Sequence, residues 1–171
     1  MITAELNKRA SRIKFLLMDC DGVLTDGKIT ITADHDEIRS FHVRDGFGIV
    51  LWHRAGYRSG IISGRFSRAV QLRAHELEIS YLRQGAADKI IDFEEIIAIE
   101  KLGAEEVAYI GDDIPDVLVM RRVGFAAAVA DAVEEARACA HYVTRVHGGY
   151  GAAREVIELI LKTQNKWNGS T

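Results

Sequence analysis

Phe15-Leu16-Leu17-Met18 runs without a break into Asp19-Cys20-Asp21-Gly22, and that junction decides the fold. Four consecutive apolar residues ending in charge read as a strand buried on both faces, the environment of a parallel sheet. The pattern recurs. Ile61-Ile62 leads into Ser63-Gly64-Arg65, and Val107-Ala108-Tyr109-Ile110 leads into Gly111-Asp112-Asp113. In an open α/β sheet, ligands bind outside the carboxyl ends of the strands, so these run-ends are expected to share one cleft.

Strand signals over residues 57–62, 80–82, 107–110 and 125–129 alternate with helical ones over 67–77, 89–102, 116–123 and 132–138. A final helix is expected over 152–163, after Gly148-Gly149-Tyr150-Gly151. This alternation predicts a doubly wound, Rossmann-like α/β parallel sheet in one domain, with its core over about residues 13–164. Residues 28–33 and 37–43 alternate around Asp34-His35-Asp36, which gives a β-hairpin over about residues 27–43 with Ile29, Ile31, Phe41 and Val43 as apolar positions. A helix over 46–54 follows, and residues 165–171 read as a frayed end. A two-stranded ribbon is marginal in water, so the hairpin needs a surface to cover it.

A chain with 48% apolar and 27% charged residues has the composition of a soluble globular protein. Its net charge of −3 argues against a sequence-independent nucleic-acid binder, which needs a basic footprint. Residues 1–14 mix Glu5, Lys8, Arg9 and Arg12 and lack the apolar stretch of a signal peptide. No apolar run approaches the roughly 20 residues of a membrane span. Cys20 and Cys139 form no metal-type pair and fit a reducing cytoplasm.

Side chains alternate along an extended chain, so Asp19 and Asp21 are expected to face one pocket. Their repulsion calls for a bridging cation or a proton kept by one of them. A hard divalent cation such as Mg²⁺ suits such oxygens. Asp19 would then attack phosphorus to give an aspartyl-phosphate, with Asp21 as acid and later base. Asp112 leaves a strand end directly and is the third candidate metal ligand, while Asp113 and Asp116 are supporting acidic groups. If Pro115 opens a helix, Asp112 and Asp116 share one face of its first turn, and helix capping stays open for Asp113 and Asp116. Ser63-Gly64 offers a hydroxyl and free backbone N–H groups to an anion. Lys89 at a helix start opposes the helix dipole, so either a nearby anion or plain solvation accounts for it. A phosphate-accepting signalling module of the receiver type carries similar groups, but there the acidic residues come from different strands and the lysine comes last. Here Asp19 and Asp21 share one strand end and Lys89 precedes Asp112.

Asp19-Cys20-Asp21-Gly22-Val23-Leu24-Thr25, Ser63, Lys89 and Gly111-Asp112-Asp113-Ile114-Pro115-Asp116 resemble the four motifs of the haloacid dehalogenase-like phosphatases. The resemblance implies that Asp19 is the nucleophile and Asp21 the acid/base. It also implies Mg²⁺ on Asp19, Asp112 and the Asp21 carbonyl, with phosphate held by Ser63 and Lys89. Neither insertion point has room for a cap domain. Over about residues 13–166 the chain is similar to the capless branch acting on 3-deoxy-D-manno-octulosonate 8-phosphate, a step toward lipopolysaccharide. The residues carrying this are Asp26-Gly27, Phe41-His42-Val43-Arg44-Asp45-Gly46-Phe47-Gly48, Ser63-Gly64-Arg65, Gln84-Gly85 and Gly148-Gly149-Tyr150-Gly151-Ala152-Ala153-Arg154-Glu155. That branch implies a homotetramer with the hairpins in a central barrel and the glycine-rich segment from Gly148 reaching a neighbour's site. It implies substrate contacts from Asp21, His42, Val43, Arg44, Asp45, Gly46, Ser63, Gly64, Arg65, Arg73 and Lys89. Relatives acting on a nine-carbon sugar acid 9-phosphate, the alternative substrate, often carry glutamate where Arg65 stands. His42 and Val50 depart from some relatives, which have asparagine and arginine there.

Overall fold

Phe15–Met18 forms the central strand β1, paired in parallel with β4 (Arg58–Ser63) on one side and β6 (Val107–Gly111) on the other. The computed structural model describes residues 3–34 and 36–167. Beyond β4 lies β5 (Tyr81–Gln84), and beyond β6 lie β7 (Phe125–Ala128) and β8 (Tyr142–Val143), giving the order β5-β4-β1-β6-β7-β8. Every pairing in this sheet is parallel. Every residue of β1, β6 and β7 is buried, which requires cover on both faces.

The helices are α1 (Ala4–Ala10), α2 (Val43–Arg54), α3 (Arg68–Glu76), α4 (Lys89–Glu100), α5 (Val117–Arg122), α6 (Glu134–Cys139) and α7 (Ala152–Thr163). Right-handed crossovers put α2 and α3 on one face and α4, α5 and α6 on the other. Packing agrees, since α7 lies against α1 and α2 while α5 touches both α4 and α6. The chain winds outward from β1 through β4 to β5, then crosses back to β6. This reversal makes the crevice between the ends of β1 and β6 the switch point where ligands bind. Among the described residues only a hairpin and α2 separate β1 from β4, and only α3 separates β4 from β5, so no cap is inserted.

The hairpin is shorter than its alternation suggests. Its strands β2 (Thr30–Ile31) and β3 (Glu37–Ile38) pair antiparallel, Thr30 with Ile38 and Ile31 with Glu37. Helix α2 starts at Val43, earlier than expected, because the His42 side chain caps it by accepting the Arg44 N–H at 3.2 Å. Val43 is therefore an exposed helical residue, and Phe41 packs against the core. The outward apolar face of the hairpin consists of Ile29, Ile31 and Ile38. Two short elements escaped the sequence reading, β8 and α1. The latter is capped by Thr3 and buries Leu6 and Ala10, whose spacing of four was its only apolar signal. The expected frayed end is ordered as far as Trp167, which packs on the core beneath the Arg154 guanidinium, and residues 168–171 lie outside the described residues.

The glycine-rich segment makes contacts within its own chain. Gly148-Gly149-Tyr150-Gly151 folds back on its own chain between β8 and α7. The Gly149 N–H donates to the Val23 carbonyl at 2.8 Å and the Gly148 N–H to Asp131 Oδ1 at 2.9 Å. A Cβ at Gly148 would overlap the Gly22 carbonyl, and one at Gly149 would overlap the Thr25–Asp26 peptide. Glycine is needed here for close approach, so the segment braces the loop after β1 from within the same chain.

Candidate active site

Asp19 follows β1 directly, and its N–H donates to the Ile110 carbonyl of β6 at 2.9 Å, which holds it in the crevice. Lys89 is the first residue of α4. Its Nζ lies 2.8 Å from Asp19 Oδ1 and 2.7 Å from Asp116 Oδ1, and all three residues are buried. Two adjacent anions thus account for a lysine at a helix start. Burial acts to lower the lysine pKa, but the charges of Asp19 and Asp116 outweigh it and hold the ammonium above the usual value.

Asp116 ends a 3-10 turn, Ile114–Asp116, that precedes α5. Its carboxylate also accepts from the Tyr109 hydroxyl at 2.7 Å and from the N–H groups of Asp112 at 2.9 Å and Asp113 at 3.2 Å. The capping and chemical alternatives therefore coincide in this residue. Asp113 is exposed and caps the same turn, accepting the Ile114 N–H at 2.7 Å.

Carboxylate oxygens of Asp19, Asp112 and Asp116 lie within 4.8 Å of one another. Burial, followed by the Asp19 charge, pushes Asp112 up to about 9. Burial and the Asp116 charge push Asp19 up to about 6 against the pull of Lys89. Three carboxylates thus face one ammonium. Asp112 Oδ1 is buried without a hydrogen-bond partner among the described residues. Such an oxygen-only, charge-rich donor set fits a hard divalent cation such as Mg²⁺. Gly22, with φ +88°, closes the loop over this cluster, and a Cβ there would collide with the Asp112 carboxylate.

Asp21 does not join the cluster. Alternation stops where β1 ends, because the Cys20 carbonyl accepts the N–H groups of Val23, Leu24 and Thr25 in a turn. The Asp21 carboxylate instead meets Arg39, with Nη1 at 2.6 Å from Oδ1 and Nη2 donating to Oδ2 at 3.3 Å. The repulsion expected between Asp19 and Asp21 is relieved by a separate cation for each, Lys89 and Arg39. Arg39 was missed in the sequence. Its signal was a charge in phase with Phe41, on the inward side of the hairpin.

Ser63 is buried at the end of β4, and its Oγ accepts the Arg65 N–H at 3.3 Å. Gly64 and Arg65 are exposed, and Arg65 Nη2 lies 3.6 Å from Glu37 Oε2. Val43 and Arg44 are exposed on the first turn of α2, beside the capping His42. Gly46 leaves room for the Arg73 guanidinium, which sits 5.8 Å from the Phe41 ring centre and bonds Glu76 at 2.8 Å. Asp45, for which the resemblance implied a substrate contact, has a structural role in the chain. It is buried, and its carboxylate accepts the N–H groups of Gly151 at 3.1 Å and Arg154 at 2.8 Å, capping α7.

The sequence model of the haloacid dehalogenase-like hydrolases matches residues 53–156. The chain belongs to this family. The 3-deoxy-D-manno-octulosonate 8-phosphate phosphatase of Yersinia pestis is 42% identical over 99% of this chain and 91% of its own length. A crystal structure of a probable YrbI family phosphatase from Pseudomonas syringae has a TM-score of 0.95 at 44% identity, covering 98% of this chain and 96% of that one. Another, the 3-deoxy-D-manno-octulosonate 8-phosphate phosphatase of Moraxella catarrhalis in complex with magnesium ion, phosphate ion and KDO, has a TM-score of 0.94 at 40% identity, covering 96% and 95%. Like these hydrolases, the chain has a parallel α/β core without a cap. No helix among the described residues is long and apolar enough to cross a membrane.

The charge excess makes a prediction for the metal-free protein. The folded state retains protons that the unfolded chain has released, so stability falls as pH rises from the ordinary aspartate range through about 6 for Asp19 and about 9 for Asp112. A bound divalent cation replaces those protons. Differential scanning fluorimetry with chelator is expected to show Tm falling across this window, and added Mg²⁺ to raise Tm more at its alkaline end than at its acid end. A Mg²⁺ shift that shrinks with pH contradicts this.

Proposed function

We propose that this hydrolase is a Mg²⁺-dependent phosphomonoesterase converting 3-deoxy-D-manno-octulosonate 8-phosphate to the free sugar acid and phosphate. The observation that carries the reading is the buried Lys89 ammonium between Asp19 and Asp116, with Asp112 beside them at the switch point. An Asp19 oxygen attacks phosphorus, the phosphorus–oxygen bond to the sugar breaks, and Asp21 gives its proton to the departing oxygen. Asp21 then takes a proton from water, whose oxygen attacks phosphorus and frees Asp19. Asp19, Asp112 and the Asp21 carbonyl would hold the ion, which supplies positive charge opposite the phosphoryl oxygens. Lys89, Ser63 Oγ and the backbone after Ser63 bind phosphate, and catalysis is chiefly positioning and charge neutralisation.

The relatives' names and the sugar acid's own chemistry support this substrate. Its carboxylate suits arginine, and Arg44, Arg65 and Arg73 are the proposed contacts. Arg65 favours the eight-carbon over the nine-carbon acid. The setting, lipopolysaccharide precursor synthesis in the cytoplasm, agrees with two free cysteines. We also propose a homotetramer joined through the hairpins, supported by Ile29, Ile31 and Ile38, which are 40%, 67% and 52% exposed in the single chain. Active sites shared between subunits, with the segment from Gly148 reaching a neighbour, belong to the same proposal, and that segment also braces its own loop.

Phosphate release from a panel of sugar phosphates tests the activity. The eight-carbon acid 8-phosphate is expected to be the best substrate, and Asp19→Asn to lower kcat at least about a thousandfold with the fold intact. Near wild-type turnover by Asp19→Asn contradicts the mechanism, and preference for the nine-carbon 9-phosphate contradicts the substrate. For assembly, sedimentation of Ile31→Lys is expected to show monomers or dimers where the wild type is a tetramer. A wild-type monomer would remove the hairpin interface.

A further inference from the structure

The hairpin does more than present an apolar face. Its Arg39 side chain is fully buried, although β2 and β3 are two residues each and largely exposed. Taking a guanidinium out of water is costly unless its donors are matched. Here they are. Nε donates to Glu37 Oε1 at 2.8 Å, Nη1 to the Lys28 carbonyl at 3.3 Å and Nη2 to Asp21 Oδ2 at 3.3 Å, while Nη1 also lies 2.6 Å from Asp21 Oδ1 as an ion pair without hydrogen-bond geometry. Glu37 and Lys28 belong to the hairpin, so they fix the guanidinium to it, and Asp21 is what that fixed fork grips. No other ion pair involves Asp21 among the described residues. Asp21 itself sits in a turn beyond β1, and the sheet gives its side chain no direction.

We infer that Arg39 is the positioning residue for Asp21, with Glu37 as its anchor. This rests on the reading of Asp21 as the proton donor to the leaving oxygen. In a capless enzyme no second domain closes over the substrate to align that donor, and the hairpin takes over the task. Glu37 also lies 3.6 Å from Arg65, so the same anchor touches the arginine expected to meet the substrate carboxylate.

A purely structural salt bridge would affect all substrates alike, whereas a positioning residue for the acid would not. An alkoxide needs a proton to leave, and a p-nitrophenolate leaves without one. The parameter kcat/KM covers the chemistry only as far as leaving-group departure, so it isolates this step. Arg39→Met is expected to lower kcat/KM for 3-deoxy-D-manno-octulosonate 8-phosphate by about 30-fold or more, and for p-nitrophenyl phosphate by less than about fivefold. Arg39→Lys should recover part of the loss. Glu37→Gln, which keeps the guanidinium but loosens its anchor, should show a smaller loss with the same dependence on the ester. Arg39→Met combined with Asp21→Asn should lose little beyond Asp21→Asn alone. Equal losses on both esters, or none on either, would overturn the inference. If Arg39→Met fails to fold, Glu37→Gln decides by the same comparison. A wild-type protein that hydrolyses neither ester removes the phosphatase reading itself, an outcome distinct from all of these.

Discussion

The ammonium of Lys89, buried between Asp19 and Asp116, is the interaction on which the rest of the site depends. A charge taken out of water is tolerated only when paired and hydrogen-bonded, and removing one partner of a buried pair costs about 3–5 kcal/mol. Lys89 also stands where the dipole of α4 disfavours a cation. Its place therefore requires two carboxylates, delivered by the loop after β1 and by the turn after β6. Parallel pairing of those strands in register, Met18 beside Ile110, brings the carboxylates together. Tyr109 and two backbone N–H groups then hold Asp116 still, so the nucleophile candidate is fixed by a chain of contacts reaching into the core.

The same arrangement leaves a charge problem that one lysine does not solve. Asp112 lies against Asp19 and Asp116 with a buried oxygen that no described residue hydrogen-bonds, and burial and the Asp19 charge raise its pKa, as expected where positive charge is short. Geometry keeps this repulsive cluster together. Gly22 lets the first loop close over Asp112, and Gly148-Gly149 press on that loop from behind. The hairpin works in two directions. Inward it offers Arg39 to Asp21, and outward it exposes Ile29, Ile31 and Ile38.

The fold was legible because buried parallel strands are short apolar runs with charged ends, and β1, β6 and β7 are of that kind. Helix α7 was read to the residue, since its amphipathic period is long and a glycine precedes it. Elements of two residues, such as β8, leave no period to read, and α1 had only one spacing. Strand-end logic pointed to Asp19 and Asp112, while Lys89 and Asp116, at a helix start and in a turn, still had solvation and capping as open readings. The direction of Asp21 was not legible, because alternation was carried past the end of β1 into a turn. Arg39 and the capping role of Asp45 depend on tertiary contacts between distant segments, which no local pattern records. In the glycine-rich run, glycine can signal either freedom or close approach, and at Gly148 and Gly149 close approach requires it.

The central claim is that Asp19 carries the phosphoryl group. Rapid acid quench of Asp21→Asn during turnover of p-nitrophenyl phosphate, whose leaving group departs without a proton, followed by borohydride reduction and peptide mass spectrometry, tests it directly. Acyl phosphate at Asp19 is reduced to homoserine, so the account predicts that mass change at position 19 and its absence without substrate. Modification at another carboxylate, or phosphate release with Asp19 never modified, would contradict the account.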